Sequence, residues 1–270
     1  MDEATREIFA GINGAERTVF FALAYGSLAT FAIGLFLRMS YWARGTGDQE
    51  PAFSGLGRRG ADMLNHMLLQ PRIRSASSAG WLHLLIFWGF LVLFVGTEIL
   101  TVEIDTPLIF FSGVFYLIFS LVMDLFGVLL LIGVAMATYR RYVLRPARTQ
   151  GPAYGFPLAL LGLLAITGFL AEGLRMGQVD NAWYAWSPAG ALVAAMAADT
   201  QTHVLTGWHH DVWWAHAVIA FVFIAAIPFG PLRHAVVAPL SLFFQSRRPT
   251  GALTTPFLLE NLETGAAQRT

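Results

Sequence analysis

The sequence predicts an all-α integral membrane protein, a bundle of five transmembrane helices with its N-terminus outside and its C-terminus inside. Three observations carry this. Five apolar runs of about 20 residues or more recur along the chain, each long enough to cross a bilayer. Only 13% of the 270 residues are charged, against about 25% in soluble domains, and the mean hydropathy is +0.59. The arginines gather in alternate loops, which sets the orientation.

The spans are expected at 18–37, 79–100, 108–137, 156–174 and 212–232. Met1, Asp2 and Glu3 form no basic n-region and no small-residue cleavage site follows, so the first run reads as a retained span, not a signal peptide. The first loop carries Arg38, Arg44, Arg58, Arg59, Arg72 and Arg74. Within it, 62–70 reads as an interfacial helix holding His66. The second loop carries Glu98, Glu103 and Asp105 and no basic residue. Arg140, Arg141, Arg145 and Arg148 follow the third span, Arg175 the fourth, and Arg233, Arg247 and Arg248 the fifth. A single topology satisfies all of them. The stretch 188–198 is apolar but too short to span, so it lies at the interface or re-enters. The 8 Trp and 22 Phe suit interfacial belts and lipid-facing surfaces. A net charge of zero gives no basis for binding nucleic acid. With no Cys the chain has no thiolates for an iron–sulfur cluster.

The histidines point to chemistry. His216 and His234 are 18 residues apart, five turns of one helix at about 100° per residue and roughly 27 Å along its axis. One helix is thus expected to present an imidazole near each side of the bilayer. Imidazole is the usual axial ligand of haem iron, which suggests a transmembrane cytochrome. His83 begins the second span and His234 ends the fifth, both on the inner side. Two imidazoles at one depth on different helices are what a bis-histidine b-type haem needs. Gly80, one turn before His83, leaves room for a porphyrin, and Arg233 or Arg72 could meet its propionates. The bland alternative is that each is a polar residue at the headgroups. His203, His209 and His210 read as solvated loop residues.

Other ionisable groups at membrane depth are few and therefore functional candidates. Asp124 lies within the third span, as a proton relay or quinone partner, or simply as a group holding Ser120 or Thr167. Glu172 and Arg175, three residues apart on one helix face, can form an ion pair. With His216, and Glu98 nearby, they are expected to make an outer quinone pocket, supplying a hydrogen-bond donor and a proton route.

Several of these motifs resemble those of one superfamily. The stretch 213–234, with its two histidines and Ile227-Pro228-Phe229, looks like the last helix of respiratory nitrate reductase gamma subunits. Gly80-Trp81-Leu82-His83 with Phe87-Trp88-Gly89-Phe90 looks like their second. The similarity is closer to the membrane domain of heterodisulfide-reductase-like electron-transfer-flavoprotein:(mena)quinone oxidoreductases. It is carried by Asp124-Leu125-Phe126-Gly127, Arg140-Arg141-Tyr142, Thr167-Gly168-Phe169 with Glu172 and Arg175, and Pro231-Leu232-Arg233-His234. The resemblance implies a haem b membrane domain over 1–245. Residues 246–270, with Gly251-Ala252-Leu253, are then a cytoplasmic tail or a linker toward an iron–sulfur partner. The chain is a separate subunit or the membrane half of a longer protein.

The resemblance further implies electron transfer between a cytoplasmic iron–sulfur protein, fed by an electron-transfer flavoprotein, and menaquinone or ubiquinone in a bacterial cytoplasmic membrane. A nitrate-reductase-type gamma subunit and a haem-free anchor are the alternatives. Relatives of the nitrate reductase type use two haems. Here the second-helix position for the outer one, ten residues beyond His83, is Leu93. One haem, held by His83 and His234, is therefore expected, with two as the alternative, leaving His216 free for quinone chemistry.

Overall fold

Five helices are long and apolar enough to cross a membrane: Gly14–Trp42, Ala79–Asp105, Gly113–Leu144, Gly155–Met176 and Thr202–Phe229. They come from a computed structural model that describes residues 4–42, 44, 54–74, 77–108, 110–146, 154–179 and 183–245, with backbone alone at 72, 74, 77 and 78. The tail assigned to 246–270 lies outside the described residues. In chain order the helices are α1 (Gly14–Trp42), α2 (Leu56–Leu69), the short α3 (Pro71–Arg74), α4 (Ser77–Asp105), α5 (Gly113–Tyr139), α6 (Gly155–Met176), α7 (Pro188–Met196), α8 (Thr202–Ala226) and α9 (His234–Phe243). Among the described residues there is no β-strand, only an isolated bridge between Thr5 and Ser112. The all-α five-helix bundle is as the hydropathy pattern predicts.

Glycines let the helices approach. A Cβ on Gly89 of α4 would sit 2.9 Å from the Leu130 Cα of α5, and one on Gly133 would sit 2.9 Å from the Ile86 nitrogen. A side chain at either position would force α4 and α5 apart, as expected where bilayer helices associate by close packing. Next to this seam α6 runs along α8, and α1 packs against α8. Leu130, Val134, Leu160, Leu161, Ala165 and Phe223 form the buried centre, with Leu93 packed against it. The outer faces stay apolar and open, with Ile33 60% and Phe36 70% exposed on α1, as a lipid-facing surface requires.

Two boundaries differ from expectation. The third span starts at Gly113, not 108, because Thr5 pairs with Ser112 and the Gly113 N–H donates to the Ala4 carbonyl at 2.7 Å, holding 110–112 outside the helix. The fifth starts ten residues early, at Thr202, since α8 takes in His203, His209, His210 and Asp211. It also ends early. After Ala226 come 3₁₀ turns at Ile227–Phe229 and Pro231–Arg233, separated by extended Gly230 at φ −134° and ψ −159°. Pro228 and Pro231 lack the N–H an α-helix needs. His216 and His234 are therefore not on one helix, and their five-turn spacing does not set their geometry.

The interfacial segment is α2, amphipathic and packed on α9. Buried Arg59 joins the two, donating from its guanidinium to the Ser54, Phe243 and Gln245 carbonyls at 2.9, 3.1 and 2.9 Å. At the opposite end residues 4–13 fold across the bundle. Phe9 is buried against Phe20, Phe21 and Trp213.

Candidate functional site

The structure gathers polar groups at both ends of the bundle. At the arginine-rich end His83 lies in the second turn of α4, and its Nδ1–H donates to the Gln70 Oε1 at 3.1 Å. Gln70 is buried in the break between α2 and α3, in the left-handed region at φ 44°. His234 opens α9, and its Nδ1–H donates to the Pro231 carbonyl at 2.6 Å. The two rings come from different elements and lie within electrostatic range of each other.

Each imidazole thus has Nδ1 engaged by an oxygen, which leaves Nε2 open. Metal-ligating histidines have this arrangement, with the second nitrogen's hydrogen bond fixing tautomer and ring orientation. Among the described residues no group of three or more His, Cys, Asp or Glu is placed to hold a metal ion. A haem iron asks for only two axial imidazoles, so the pair suits haem. Gly80 is buried one turn before His83. Arg233 instead lines a cleft against α1, and the Arg72 side chain lies outside the described residues.

At the other end Glu172 and Arg175 pair as expected, at 2.9 Å. Arg6, from the N-terminal segment, adds a second cation at 3.4 Å, and Arg175 donates to the Tyr116 hydroxyl at 3.4 Å. The histidine beside them is His209, only 4% exposed, not the solvated loop residue expected. A signal for it exists in the sequence: His209 and His216 are seven residues apart, two turns, and share a face once α8 starts at Thr202. Arg6 and Tyr116 carry no such signal. Against this cluster is a void of about 10 Å³, lined by Tyr116, Ser120, Glu172, Arg175 and Ser187 among others. It has room for about one water and none for a quinone ring.

His216 lies deeper, on the face of α8 that meets α6. Thr167 donates to the Leu163 carbonyl at 2.6 Å, so its Oγ1 accepts from the His216 Nδ1–H at 2.9 Å. Nε2 is again the open nitrogen. Gly168 lies beside the ring, where a Cβ would make only an ordinary contact at 3.4 Å from the His216 Cε1. Glu98 is exposed on α4.

Asp124 bonds neither Ser120 nor Thr167. Its oxygens accept the Ala189 and Gly190 N–H groups at 3.0 and 3.1 Å. These are the second and third residues of α7, so Asp124 caps that helix from a neighbouring span, where a carboxylate meets both free donors and the positive end of the helix. Asp124 is eleven residues into α5, about 16 Å at about 1.5 Å per residue. The 188–198 segment is therefore a short helix drawn to membrane depth, with Gly190 against Glu172 and Met176 of α6.

The structure is a multi-pass helical bundle with His83 and His234 at one end and a buried charge cluster at the other, and the proteins it is similar to include a quinone oxidoreductase. The chain is 34% identical over 194 residues to the EtfAB:quinone oxidoreductase of Syntrophomonas wolfei, covering 67% of this chain and 27% of that protein. It is 32% identical over 184 residues to one component of the dihydromethanophenazine:CoB–CoM heterodisulfide reductase of Methanosarcina thermophila, covering 65% and 62%. It is 25% identical over 187 residues to the probable iron-sulfur-binding oxidoreductase FadF of Bacillus subtilis, covering 68% and 26%. The chain thus spans about a quarter of the first and third relatives and under two thirds of the second. No protein-family model matches it. The chain is a homologue of EtfAB:quinone oxidoreductase and of that heterodisulfide reductase component, as the resemblance in its motifs implies.

Proposed function

We propose that this chain is the cytochrome b membrane domain or subunit of a quinone oxidoreductase in a bacterial cytoplasmic membrane. It carries electrons between a cytoplasmic iron–sulfur partner, linked to an electron-transfer flavoprotein, and menaquinone or ubiquinone. The observation that carries this reading is that His83 and His234, on different helices and within electrostatic range of each other, each have Nδ1 on an oxygen acceptor and Nε2 open. These two residues would hold one haem b, with Gln70 and the Pro231 carbonyl orienting their rings. Haem b would supply a one-electron carrier there. The names of the relatives support the quinone, flavoprotein and iron–sulfur parts of the reading. Lacking Cys, the chain needs a partner to bring clusters to the haem, and among the described side chains Arg140 and Arg141 offer it a docking face.

At the opposite end His216 passes a proton through Nε2 to a quinone as it is reduced, or takes one from a quinol as it is oxidised, with Thr167 fixing its tautomer. Glu172, held in place by Arg175, exchanges that proton with solvent through the water-sized void, and Asp124 acts as a positioning residue that keeps α7 against Glu172. The test is a reduced-minus-oxidised optical spectrum of the purified chain with a haem count. One low-spin b-type haem per chain, abolished in His83→Ala and in His234→Ala, is the expected result. A normal spectrum in both variants overturns the assignment, and a wild-type chain without haem leaves only a docking anchor.

A further inference from the structure

A cleft of about 340 Å³ opens at the arginine-rich end, between α1 and the broken end of the fifth span. Its floor is set where Gly34 meets Phe229 and Pro228, so closely that a Cβ on Gly34 would lie 2.7 Å from each. Beyond this contact the 3₁₀ turns and Gly230 carry the chain away from α1, and the gap opens. One wall is apolar, with Phe31 and Leu35 from α1 and Val236 from α9. The mouth carries Arg38, Trp42 and Arg233.

Among the described residues the charge in this cleft is unbalanced. Both guanidiniums stay protonated at any physiological pH, and none of the described residues lining the cleft is acidic. Among the described residues neither has a hydrogen bond or ion pair through its side chain. Two unneutralised cations at the edge of the hydrocarbon favour an anion between them, and basic pockets between spans take acidic headgroups. The apolar wall asks for an acyl chain on the same ligand, and the volume is that of a ligand pocket. A quinone headgroup is neutral and would leave both charges uncompensated, with no lining residue able to give or take its proton.

We propose that this cleft binds an anionic glycerophospholipid of the adjoining leaflet, its phosphate taken by Arg38 and Arg233 and an acyl chain lying along Phe31, Leu35 and Val236. The site is separate from the haem and quinone reading and stands without it. Native mass spectrometry of the detergent-purified full chain, titrated with dioleoylphosphatidylglycerol or dioleoylphosphatidylcholine, tests it. Two surface cations should favour the anionic lipid about thirtyfold. Arg38→Gln with Arg233→Gln should erase the preference, and the paired Lys substitutions should keep it. Val236→Trp, which fills the cleft and leaves both charges, should also lose the lipid. Arg140→Gln, outside the cleft, should keep it. Equal retention of both lipids, a preference that survives the double Gln variant or Val236→Trp, or displacement of phosphatidylglycerol by equimolar decylubiquinone would overturn the proposal.

Discussion

Replacing Asp124 by Ala removes the acceptor of two backbone donors, Ala189 N–H at 3.0 Å and Gly190 N–H at 3.1 Å, at a buried site. Each orphaned buried donor costs about 1–3 kcal/mol. The water-sized void beside Ser187 lets solvent satisfy one of them in part, which places the net loss at about 3 kcal/mol. That is about a hundredfold increase in the local opening of α7. Hydrogen exchange read by mass spectrometry on peptides covering 184–200 measures it directly. Protection there should fall about a hundredfold while α8 keeps its own. Asp124→Asn retains one oxygen but turns an amide NH₂ toward the other donor, so its loss should be about half as large in free energy, near tenfold in protection. Unchanged protection in Asp124→Ala would refute the capping argument and return Asp124 to the proton-relay role.

Further outcomes follow from the same geometry. His216→Ala should leave the haem spectrum intact and lower quinone-linked turnover by about 10²–10⁴, the worth of a positioned proton-transfer group. Two haems per wild-type chain, one of them lost in this variant, would instead make His216 a ligand. Arg59→Met removes bonds to three carbonyls and should destabilise the α2–α9 contact by about 1.5–3 kcal/mol, seen as faster limited proteolysis within residues 54–70. An unchanged cleavage rate would show that apolar packing alone holds α2. A reporter fused after the last residue should be active only in the cytoplasm, since arginines crowd the loops on that side. Periplasmic activity would reverse the topology and remove the basis for a cytoplasmic partner.

What can be read from the sequence divides along physical lines. Hydropathy runs report solvent directly, so all five spans and the short 188–198 element are legible. The i,i+3 pairing of Glu172 with Arg175 is equally visible, because helix geometry alone sets it. Ends are harder. The polar start of α8 looks like a loop to a hydropathy window, which hides the burial of His209. Pro228, Gly230 and Pro231 are present as breakers, yet the apolar character of the run masks them, and the His216–His234 spacing reads as one helix. Depth alone puts His83 and His234 at the same end of the bundle, within electrostatic range, though the backbone between His216 and His234 is broken. Contacts made by distant segments, Arg6 to Glu172 and Asp124 to the end of α7, leave no local periodic trace and need the tertiary structure.

The Arg6–Glu172 ion pair spans 166 positions of sequence. Arg6 emerges from the ribosome long before its partner, which is synthesised only after three spans have entered the bilayer, and Trp213, against which Phe9 packs, arrives later still. The N-terminal segment therefore waits on its side of the membrane through most of translation and docks as the last stitch of assembly. A docked N-terminal segment is in effect a certificate of complete insertion, and a protease acting from that side would distinguish finished bundles from stalled ones.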